Sequence, residues 1–270
     1  MPELPEVETI ANGLHKRVAG DRIEAVWVGS KPEPLKSPAG EISRTLEGAQ
    51  VAQVRRVGKH IVFDLQSAAH PGGSQWIVHL GMTGRMLVTS PDAELPPHTH
   101  LVAKLGSGRE LRFIDPRRFG RLEVRAGSFN GPGAEPLQIS AADFAKLFHR
   151  SKAPIKAALL NQKLLHGVGN IYADEALIRS GIRPRRRANS LTRTELNKLH
   201  VALRKVLKAA IAAGGSSVSD YVDADGEAGF FQIQHRAYGR EGKPCLKCKT
   251  PIKKIVVAGR GTHYCPQCQK

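Results

Sequence analysis

The first residues of the chain combine a nucleophile with carboxylates. The sequence begins Met1, Pro2, Glu3, and removal of Met1 would make the ring nitrogen of Pro2 a free secondary amine. A terminal amine titrates near pH 8, so roughly a tenth is unprotonated at neutral pH and can attack an aldehyde-like carbon to form an iminium. Glu3 is placed to move protons in such a reaction. The structural alternative is that Pro2 and Pro5 only begin a helix, whose positive end suits acidic residues.

Cysteines near the other end of the chain have the spacing of a zinc site. They form two CxxC pairs, Cys245 with Cys248 and Cys265 with Cys268. Four thiolates can close a tetrahedral shell around Zn²⁺ with no position left for substrate, which predicts one structural ion. Two local disulfides or unrelated thiols are the alternatives. Basic residues between the pairs, Arg260 among them, predict a small hairpin that binds nucleic acid.

The charge balance of the chain favours a polyanionic partner. The sequence has 41 Lys and Arg against 24 Asp and Glu, a formal net charge of +17. This excess indicates nucleic acid more than a membrane surface. No apolar run is long enough to span a bilayer, and the acidic start does not resemble a secretory signal. We therefore expect a soluble intracellular protein, whose 270 residues are divided between two domains.

The first half of the chain is predicted to be mostly β structure. One helix begins near Pro5, and its apolar residues keep helical spacing as far as Val18. Short strands follow between about Ile23 and Val124, separated by Gly and Pro clusters. This pattern favours a sandwich or a barrel. The Gly- and Pro-rich segment 127–136 is predicted to be a linker.

Helical periodicity replaces the strand pattern after this linker. Helices are predicted near residues 153–165 and 171–180. A third helix is predicted to begin at a capping box formed by Thr192 and Glu195, and to end at Gly214.

A glycine-rich turn and a basic region flank the second of these helices. The glycine-rich turn 166–170 precedes it, and residues 179–208 contain ten basic residues and one acidic residue. Exposed backbone amides at a helix start, together with the side chain of Asn170, suit a phosphate group. A solvated helix face is the alternative for part of this charge.

Several blocks of sequence resemble the formamidopyrimidine-DNA glycosylases. They occur in the order found in that family and extend over nearly the whole chain. The blocks are PELPEVE at the start, RVGK at 56–59, HLGMTG at 79–84, DPRRFG at 115–120, GVGNIY at 167–172, YGR at 238–240 and the four cysteines. The resemblance also includes the related endonuclease VIII enzymes.

The resemblance implies an α+β, multi-domain fold that binds damaged double-stranded DNA across a cleft. Residues 1–132 would form a two-layer β-sandwich flanked by helices. Residues 133–235 would form a helical domain with a helix-two-turn-helix element and a lesion-capping loop, and residues 236–270 a β-hairpin zinc finger with one Zn²⁺ held by the four cysteines. The implied activity is that of a bifunctional base-excision-repair enzyme, a glycosylase for 8-oxoguanine and formamidopyrimidines that also cleaves abasic sites by β,δ-elimination.

The resemblance also assigns roles in catalysis. It makes Pro2 the amine that attacks C1′ of the damaged nucleotide and Glu3 the carboxylate that moves protons. Glu6 is given a supporting role. Lys59 is expected to serve the catalytic site, and Arg260 to hold the phosphates beside the lesion and to assist elimination.

A second set of residues is expected to contact the DNA. An enzyme that extrudes a base must fill the gap it leaves, and Met82, Arg117 and Phe119 match the residues that the family uses for this. Core packing is the alternative for Met82 and Phe119. The remaining phosphate candidates are Asn170, His79 and Lys156.

The segment 216–234 departs from the family pattern, since residues 225–232, DGEAGFFQ, stand where relatives commonly have a proline before the glycine and a lysine at the preceding position. This segment resembles the mobile loop over the extruded base, so lesion preference stays open. One alternative function is an endonuclease VIII-like glycosylase for oxidised pyrimidines. Another is a catalytically silent, zinc-containing DNA-binding protein. We expect a monomer in the bacterial cytoplasm that associates with the nucleoid through DNA.

Overall fold

The computed structural model describes residues 1–217 and 222–270, which form two compact units. Unit 1 contains Met1–Asn130 together with Ala213–Phe230, and unit 2 contains Gly131–Ala212 together with Phe231–Lys270. The described residues 213–217 and 222–230 are called the return segment below. The predicted middle domain, 133–235, is therefore wrong in one respect, because the return segment packs with unit 1. The predicted finger, 236–270, lies in the same unit as the helices.

Unit 1 consists of helices and antiparallel strands. Its elements are α1 (Leu4–Val18), β1 (Ile23–Val28), α2 (Ala39–Leu46), β2 (Gln50–Val57), β3 (His60–Ser67), β4 (His70–His79), β5 (Arg85–Thr89), β6 (Thr99–Leu105), β7 (Glu110–Ile114) and β8 (Arg121–Ala126). Sequence periodicity did not predict α2, a short helix that directly follows Pro38.

The strands of unit 1 form two sheets that share one core. Within the described residues, one sheet has the order β1-β6-β7-β5 and the other β2-β3-β4-β8. Side chains from both sheets belong to a single cluster of buried residues, with Phe63 and Trp76 on one sheet and Phe113 on the other. The two layers confirm the predicted β-sandwich within an α+β fold.

Helix α1 covers this core with the face that its sequence predicts. Its N-cap is Glu3, Pro5 lies in the first turn, and basic residues occupy the last turn, which suits the helix dipole. The apolar residues at helical spacing are all buried in unit 1 and are Val7, Ile10, Ala11, Leu14 and Val18.

Unit 2 contains helices and a hairpin. Its elements are α3 (Ala141–His149), α4 (Ile155–Leu160), α5 (Asn170–Ser180), α6 (Arg193–Ala212), β9 (Lys253–Val257) and β10 (Arg260–Tyr264). Helix α4 is shorter than the predicted 153–165, because the chain turns at Asn161 and the N–H groups of Leu164 and Leu165 donate to its carbonyl. Among residues 1–217 and 222–270, no helix has the length and apolar character needed to cross a lipid bilayer.

The predicted capping box at the start of α6 is confirmed. Thr192 Oγ1 accepts from the N–H of Glu195 at 3.2 Å, and the Glu195 carboxylate accepts from the N–H of Thr192 at 2.8 Å. Arg186 forms a two-pronged pair with the same carboxylate and holds the pKa of Glu195 at about 2. The one acidic residue in the basic stretch 179–208 is thus already paired.

Candidate functional site

The proposed nucleophile lies at the start of α1. Pro2 and Glu3 are buried, and Glu3 is the N-cap residue of the helix. The Glu6 carboxylate accepts from the N–H of Glu3 at 2.9 Å, so Glu6 fixes the backbone beside Pro2. With Met1 attached, the Pro2 nitrogen belongs to a peptide bond and has no nucleophilic lone pair.

Lys59 lies in the turn that joins β2 to β3. Val57 and His60 pair across this turn, and Gly58 has a φ of 59°, as the first central residue of a type II′ hairpin turn requires. Lys59 is 6% exposed. The Lys59 side chain is therefore buried in unit 1 and does not extend into solvent.

Arg56 connects this turn to α1. Its Nε donates to Glu8 Oε2 at 2.5 Å, and its guanidinium also donates to the carbonyl of Gly58 at 3.1 Å. The Arg56 side chain is 5% exposed. Arg56 thus fixes the turn that carries Lys59 relative to the helix that begins just after Glu3, a role that the sequence reasoning missed.

Histidines lie beside the same turn. The rings of His60 and His79 are 4.9 Å apart, and His79 Nδ1 accepts from the N–H of Gly81 at 3.1 Å. This bond keeps Nδ1 unprotonated and holds the start of the loop that carries Met82. Burial lowers the pKa of His60 below its ordinary value of 6.5, so its ring is neutral at pH 7. His79 itself is half-buried, and its phosphate contact stays a prediction.

The predicted wedge residues lie on exposed loops. Met82 is 41% exposed and Phe119 is 51% exposed, so the core-packing alternative is wrong for both. The Arg117 guanidinium lies 4.9 Å from the centre of the Phe119 ring. This cation–π contact places a cation and an aromatic ring together, two groups that can stack on bases.

A buried carboxylate holds both wedge loops. Asp115, which is 0% exposed, accepts from Thr83 Oγ1 at 2.6 Å and from the N–H of Gly120 at 2.7 Å. It also accepts from the N–H of Arg117 at 3.3 Å. One side chain therefore ties the loop of Met82 to the loop of Arg117 and Phe119. Asp115 was part of a recognised block, but no local signal marked it as an anchor.

In unit 2, the structure contradicts the prediction for Lys156. This lysine is 0% exposed, and its Nζ donates to Asp174 Oδ1 at 2.5 Å and to the carbonyl of Asn170 at 3.0 Å. A cation enclosed in this way cannot contact phosphate directly. Lys156 lies behind the turn at Asn170 and supports it.

Asp174 extends this support to the zinc-finger hairpin. Its second oxygen accepts from the N–H of His263 at 2.9 Å. Asn170 Nδ2 donates to the carbonyl of Gly261 at 3.0 Å. The start of α5 and strand β10 are therefore joined by hydrogen bonds, which places the two phosphate candidates, Asn170 and Arg260, on adjoining backbone.

Arg260 is exposed beside a tight turn. It pairs with Val257 across Ala258 and Gly259, whose φ values of 48° and 72° are those of a type I′ hairpin turn. A two-residue turn of this type gives the arginine a fixed base from which its guanidinium can reach a phosphate.

The cysteines converge as their spacing predicts. The Sγ atoms of Cys245, Cys248, Cys265 and Cys268 all lie within 4.8 Å of one another. Sulfur atoms around a tetrahedral zinc would be about 3.8 Å apart for Zn–S bonds of about 2.3 Å. The distances of 4.0 Å for Cys245–Cys268 and 3.4 Å for Cys248–Cys265 fit that value. The residues present therefore fit one structural Zn²⁺.

Glu175 is a further residue that sequence reasoning missed. Its carboxylate is 0% exposed and accepts from the N–H groups of Arg236, Ala237 and Tyr238 at 2.8–3.0 Å. Arg179 pairs with the same carboxylate. Glu175 thus fixes the chain just before the finger, and its partners lie too far along the sequence for spacing to reveal them.

Family models match three stretches of the chain. The model of the formamidopyrimidine-DNA glycosylase N-terminal domain matches residues 1–122, and the model of the H2TH domain of the same enzyme matches residues 131–222. A model of a zinc finger found in FPG and IleRS matches residues 242–270.

Curated and solved proteins match over the full length. A formamidopyrimidine-DNA glycosylase of Solibacter usitatus is 44% identical, with 100% of both chains covered. MutM (Fpg) of Thermus thermophilus is 43% identical, with a TM-score of 0.87 over 99% of this chain and 98% of that one. An Fpg mutant of Lactococcus lactis, solved with DNA that contains Fapy-dG, is 33% identical, with a TM-score of 0.91 and both chains fully covered. The wild-type Lactococcus lactis Fpg, also fully covered at 33% identity and a TM-score of 0.89, was solved with DNA that contains an oxidised pyrimidine.

Proposed function

This chain belongs to the formamidopyrimidine-DNA glycosylase family of DNA-repair enzymes, and we propose that it excises oxidised purines and then cleaves the strand at the abasic site. The observation that carries the proposal is the buried start of α1, where Pro2 directly precedes the N-cap carboxylate of Glu3. The substrates we propose are 8-oxoguanine and formamidopyrimidines. The relative solved with Fapy-dG DNA supports this class.

The first chemical step in this proposal joins Pro2 to the sugar. After Met1 is removed, the lone pair of the Pro2 nitrogen forms a bond to C1′, the glycosidic bond breaks with its electrons leaving on the base, and the base takes up the proton that the nitrogen releases. Glu3, in its protonated form, then gives a proton to the ring oxygen of the sugar as the C1′–O bond opens, and the nitrogen lone pair forms the C=N bond of an iminium. We propose that the cation of Lys59 lies beside this amine and favours its neutral form over its protonated form.

The second step is elimination. The iminium makes the C2′ proton acidic, and its removal expels the 3′ phosphate as the C3′–O bond breaks. A second proton loss expels the 5′ phosphate, and water then hydrolyses the linkage and frees Pro2. Arg260 and Asn170, on adjoining backbone in unit 2, are proposed to bind the phosphates that leave.

Met82, Arg117 and Phe119 are proposed to occupy the space of the extruded base. Their exposure and the contact between Arg117 and Phe119 support this role. The Arg117 guanidinium can also hydrogen-bond the base opposite the lesion. We propose that the protein acts as a monomer on damaged double-stranded DNA of the nucleoid, in the cytoplasm.

The proposed covalent intermediate can be trapped. Borohydride added during reaction with abasic-site DNA should link the processed protein to DNA. The adduct should be lost in Pro2→Gly, and also in protein that retains Met1, because an amide nitrogen cannot attack. The matched control is Pro5→Gly, which removes the proline in the first turn of α1 without touching the amine. Processed wild-type protein that gives no adduct would refute the enzyme proposal in favour of a silent DNA-binding protein.

A second candidate substrate class is oxidised pyrimidines. A full-length relative was solved with DNA of that kind, which favours testing it. Single-turnover excision rates for 8-oxoguanine opposite cytosine and for thymine glycol would separate the two. Faster release of 8-oxoguanine supports the purine proposal, and faster release of thymine glycol overturns it.

A further inference from the structure

The return segment is attached to α1 at several points along the helix. The N–H of Ser216 donates to Glu6 Oε1 at 2.8 Å, near the start of α1. Further along, Ala224 is 1% exposed and belongs to the core cluster of unit 1. Near the end of the helix, the Arg17 guanidinium forms an ion pair with Asp225. From Glu6 to Arg17 the helix rises by about 17 Å, so these contacts lie along most of its length.

Ala224 and Asp225, which make two of these contacts, belong to a turn with its own hydrogen bonds. Asp223 Oδ1 accepts from the N–H of Asp225 at 2.8 Å and from the N–H of Glu227 at 3.0 Å. The N–H of Asp223 donates to the carbonyl of Glu227 at 2.9 Å. This Asx turn fixes the backbone of Ala224 and Asp225, so both side chains are presented together.

A glycine in helix α1 allows this turn to pack closely against the helix. A Cβ atom at Gly13 would lie 3.3 Å from the Cβ of Ala224, so the absence of a side chain lets the turn approach closely. Glycine is otherwise a poor residue for a helix interior. Arg17 is also positioned, because its guanidinium donates to the carbonyl of Gly13 at 3.2 Å.

We propose that Gly13, Arg17, Ala224 and Asp225 form a latch that holds the return segment on α1 and thereby sets the rate of base excision. The inference rests on the proposed function and on the resemblance of segment 216–234 to the family's loop over the extruded base. Helix α1 also carries Pro2 and Glu3 at its start, so the latch fixes the cover to the element that bears the nucleophile. Arg17 and Asp225 are positioning residues in this scheme, since they act through the segment.

Base excision and cleavage of abasic DNA should depend on the latch to different degrees. Base excision needs the lesion held for attack at C1′, whereas an abasic site has no base to hold. Loss of the latch should therefore slow excision of 8-oxoguanine and leave cleavage of abasic DNA unchanged. A general loss of folding would slow both reactions together.

The test compares single-turnover rates on two duplexes, one with 8-oxoguanine opposite cytosine and one with an abasic site. The ion pair is partly exposed, so Arg17→Ala and Asp225→Asn should each slow excision by roughly two- to fivefold. Gly13→Leu, which forces Ala224 away, should slow it by roughly tenfold. Reversal of the pair, Arg17→Asp with Asp225→Arg, should recover part of the rate.

Asp225→Asn also separates loss of the latch from a general effect of charge on DNA binding. It removes a negative charge, so non-specific DNA binding should become slightly tighter while excision falls. The matched control is Arg55→Ala, because Arg55 forms a similarly exposed pair with Asp64, at 32% and 28% exposure against 28% and 48% for Arg17 and Asp225. This control should excise at the wild-type rate.

The outcomes separate the latch from the proposed function. If the wild-type protein forms no trapped adduct and excises nothing, the proposed function fails and the latch with it. If the wild-type protein excises 8-oxoguanine and the Arg17, Asp225 and Gly13 variants do so equally fast, the latch alone is wrong. Equal losses on both duplexes, or no recovery in the reversed pair, also overturn it.

Discussion

Several buried carboxylates of this protein hold backbone in place. Glu6 accepts from the N–H groups of Glu3 and Ser216, and Glu175 accepts from three successive N–H groups. Asp115 does the same for Gly120 and Arg117. A carboxylate offers only acceptors, and charge-assisted bonds to N–H groups offset the cost of its burial. Buried acids at these positions therefore give fixed geometry to loops that have no regular secondary structure.

His60 is a half-buried titratable group whose effect on stability can be measured. Burial lowers its pKa in the folded state, so below about pH 6.5 the unfolded state binds the proton first and the free energy of unfolding decreases. This loss can reach about 1.4 kcal/mol per pH unit. His60→Phe should flatten the decrease between about pH 6.5 and 5, as measured by urea unfolding.

The control for this measurement is His149→Gln, which changes an exposed histidine. Burial also lowers the pKa values of His200 and His235, so some pH dependence should remain in His60→Phe. A pH dependence identical to that of the wild type would contradict the role given to His60.

At the scale of elements, two loops of unit 1 act as one body. Residues 80–84 and 115–120 approach so closely that a Cβ at Gly81, whose φ is 60°, would lie 2.5 Å from the carbonyl carbon of Phe119. Asp115 bonds to both loops. The proposed wedge residues would lose little entropy on entering DNA from such a rigid base, which supports the role proposed for them.

Asp115→Asn tests this arrangement. The variant loses the charge and places an amide donor where the wild type accepts hydrogen bonds. The free energy of unfolding should decrease by about 2 to 3 kcal/mol, and excision of 8-oxoguanine should slow more than cleavage of abasic DNA. Chemical denaturation and single-turnover kinetics measure the two effects. Asp92→Asn, at an exposed position in the same unit, is the control, and equal stability of the two variants would exclude the anchor.

At the scale of the whole molecule, the positive charge and the zinc finger both serve DNA binding. The net charge of +17 draws the protein to DNA without regard to sequence. The finger gives one basic side chain a fixed position, because the zinc ligands fix the hairpin and Arg260 lies on that hairpin. The hydrogen bond from Asn170 to Gly261 then joins this hairpin to the helical turn.

Arg260→Ala tests the phosphate contact. One lost contact should reduce the slope of log K against log salt by about 0.9, with weaker DNA binding at every salt concentration. Fluorescence anisotropy between low and moderate salt gives both quantities. Arg260→Lys keeps the charge and should keep the slope. Removal of zinc with a chelator should weaken binding at least as much as Arg260→Ala, and an unchanged slope in Arg260→Ala would rule out the contact.

Much of the fold and part of the site followed from short-range patterns. The buried face of α1, the capping box of Thr192 and Glu195, and the cysteine spacing were all predicted, and the structure confirms them. Each depends on residues within a few turns of helix or one hairpin. Local geometry decides such features, so the sequence determines them directly. The chemistry available to a Pro2 amine beside Glu3 also follows from the sequence, because the two residues are adjacent in the chain.

Tertiary structure alone decided which charged side chains are accessible and which are anchors. The sequence suggests a surface cation at Lys156, but its neighbours enclose it against Asp174. Arg17 and Asp225 lie 208 residues apart, and no spacing rule links them. Burial and long-range pairing depend on how the whole chain packs, because a side chain's surroundings come from elements distant in sequence. The sequence therefore determined which chemistry is present, and the packing determined which residues hold it in place.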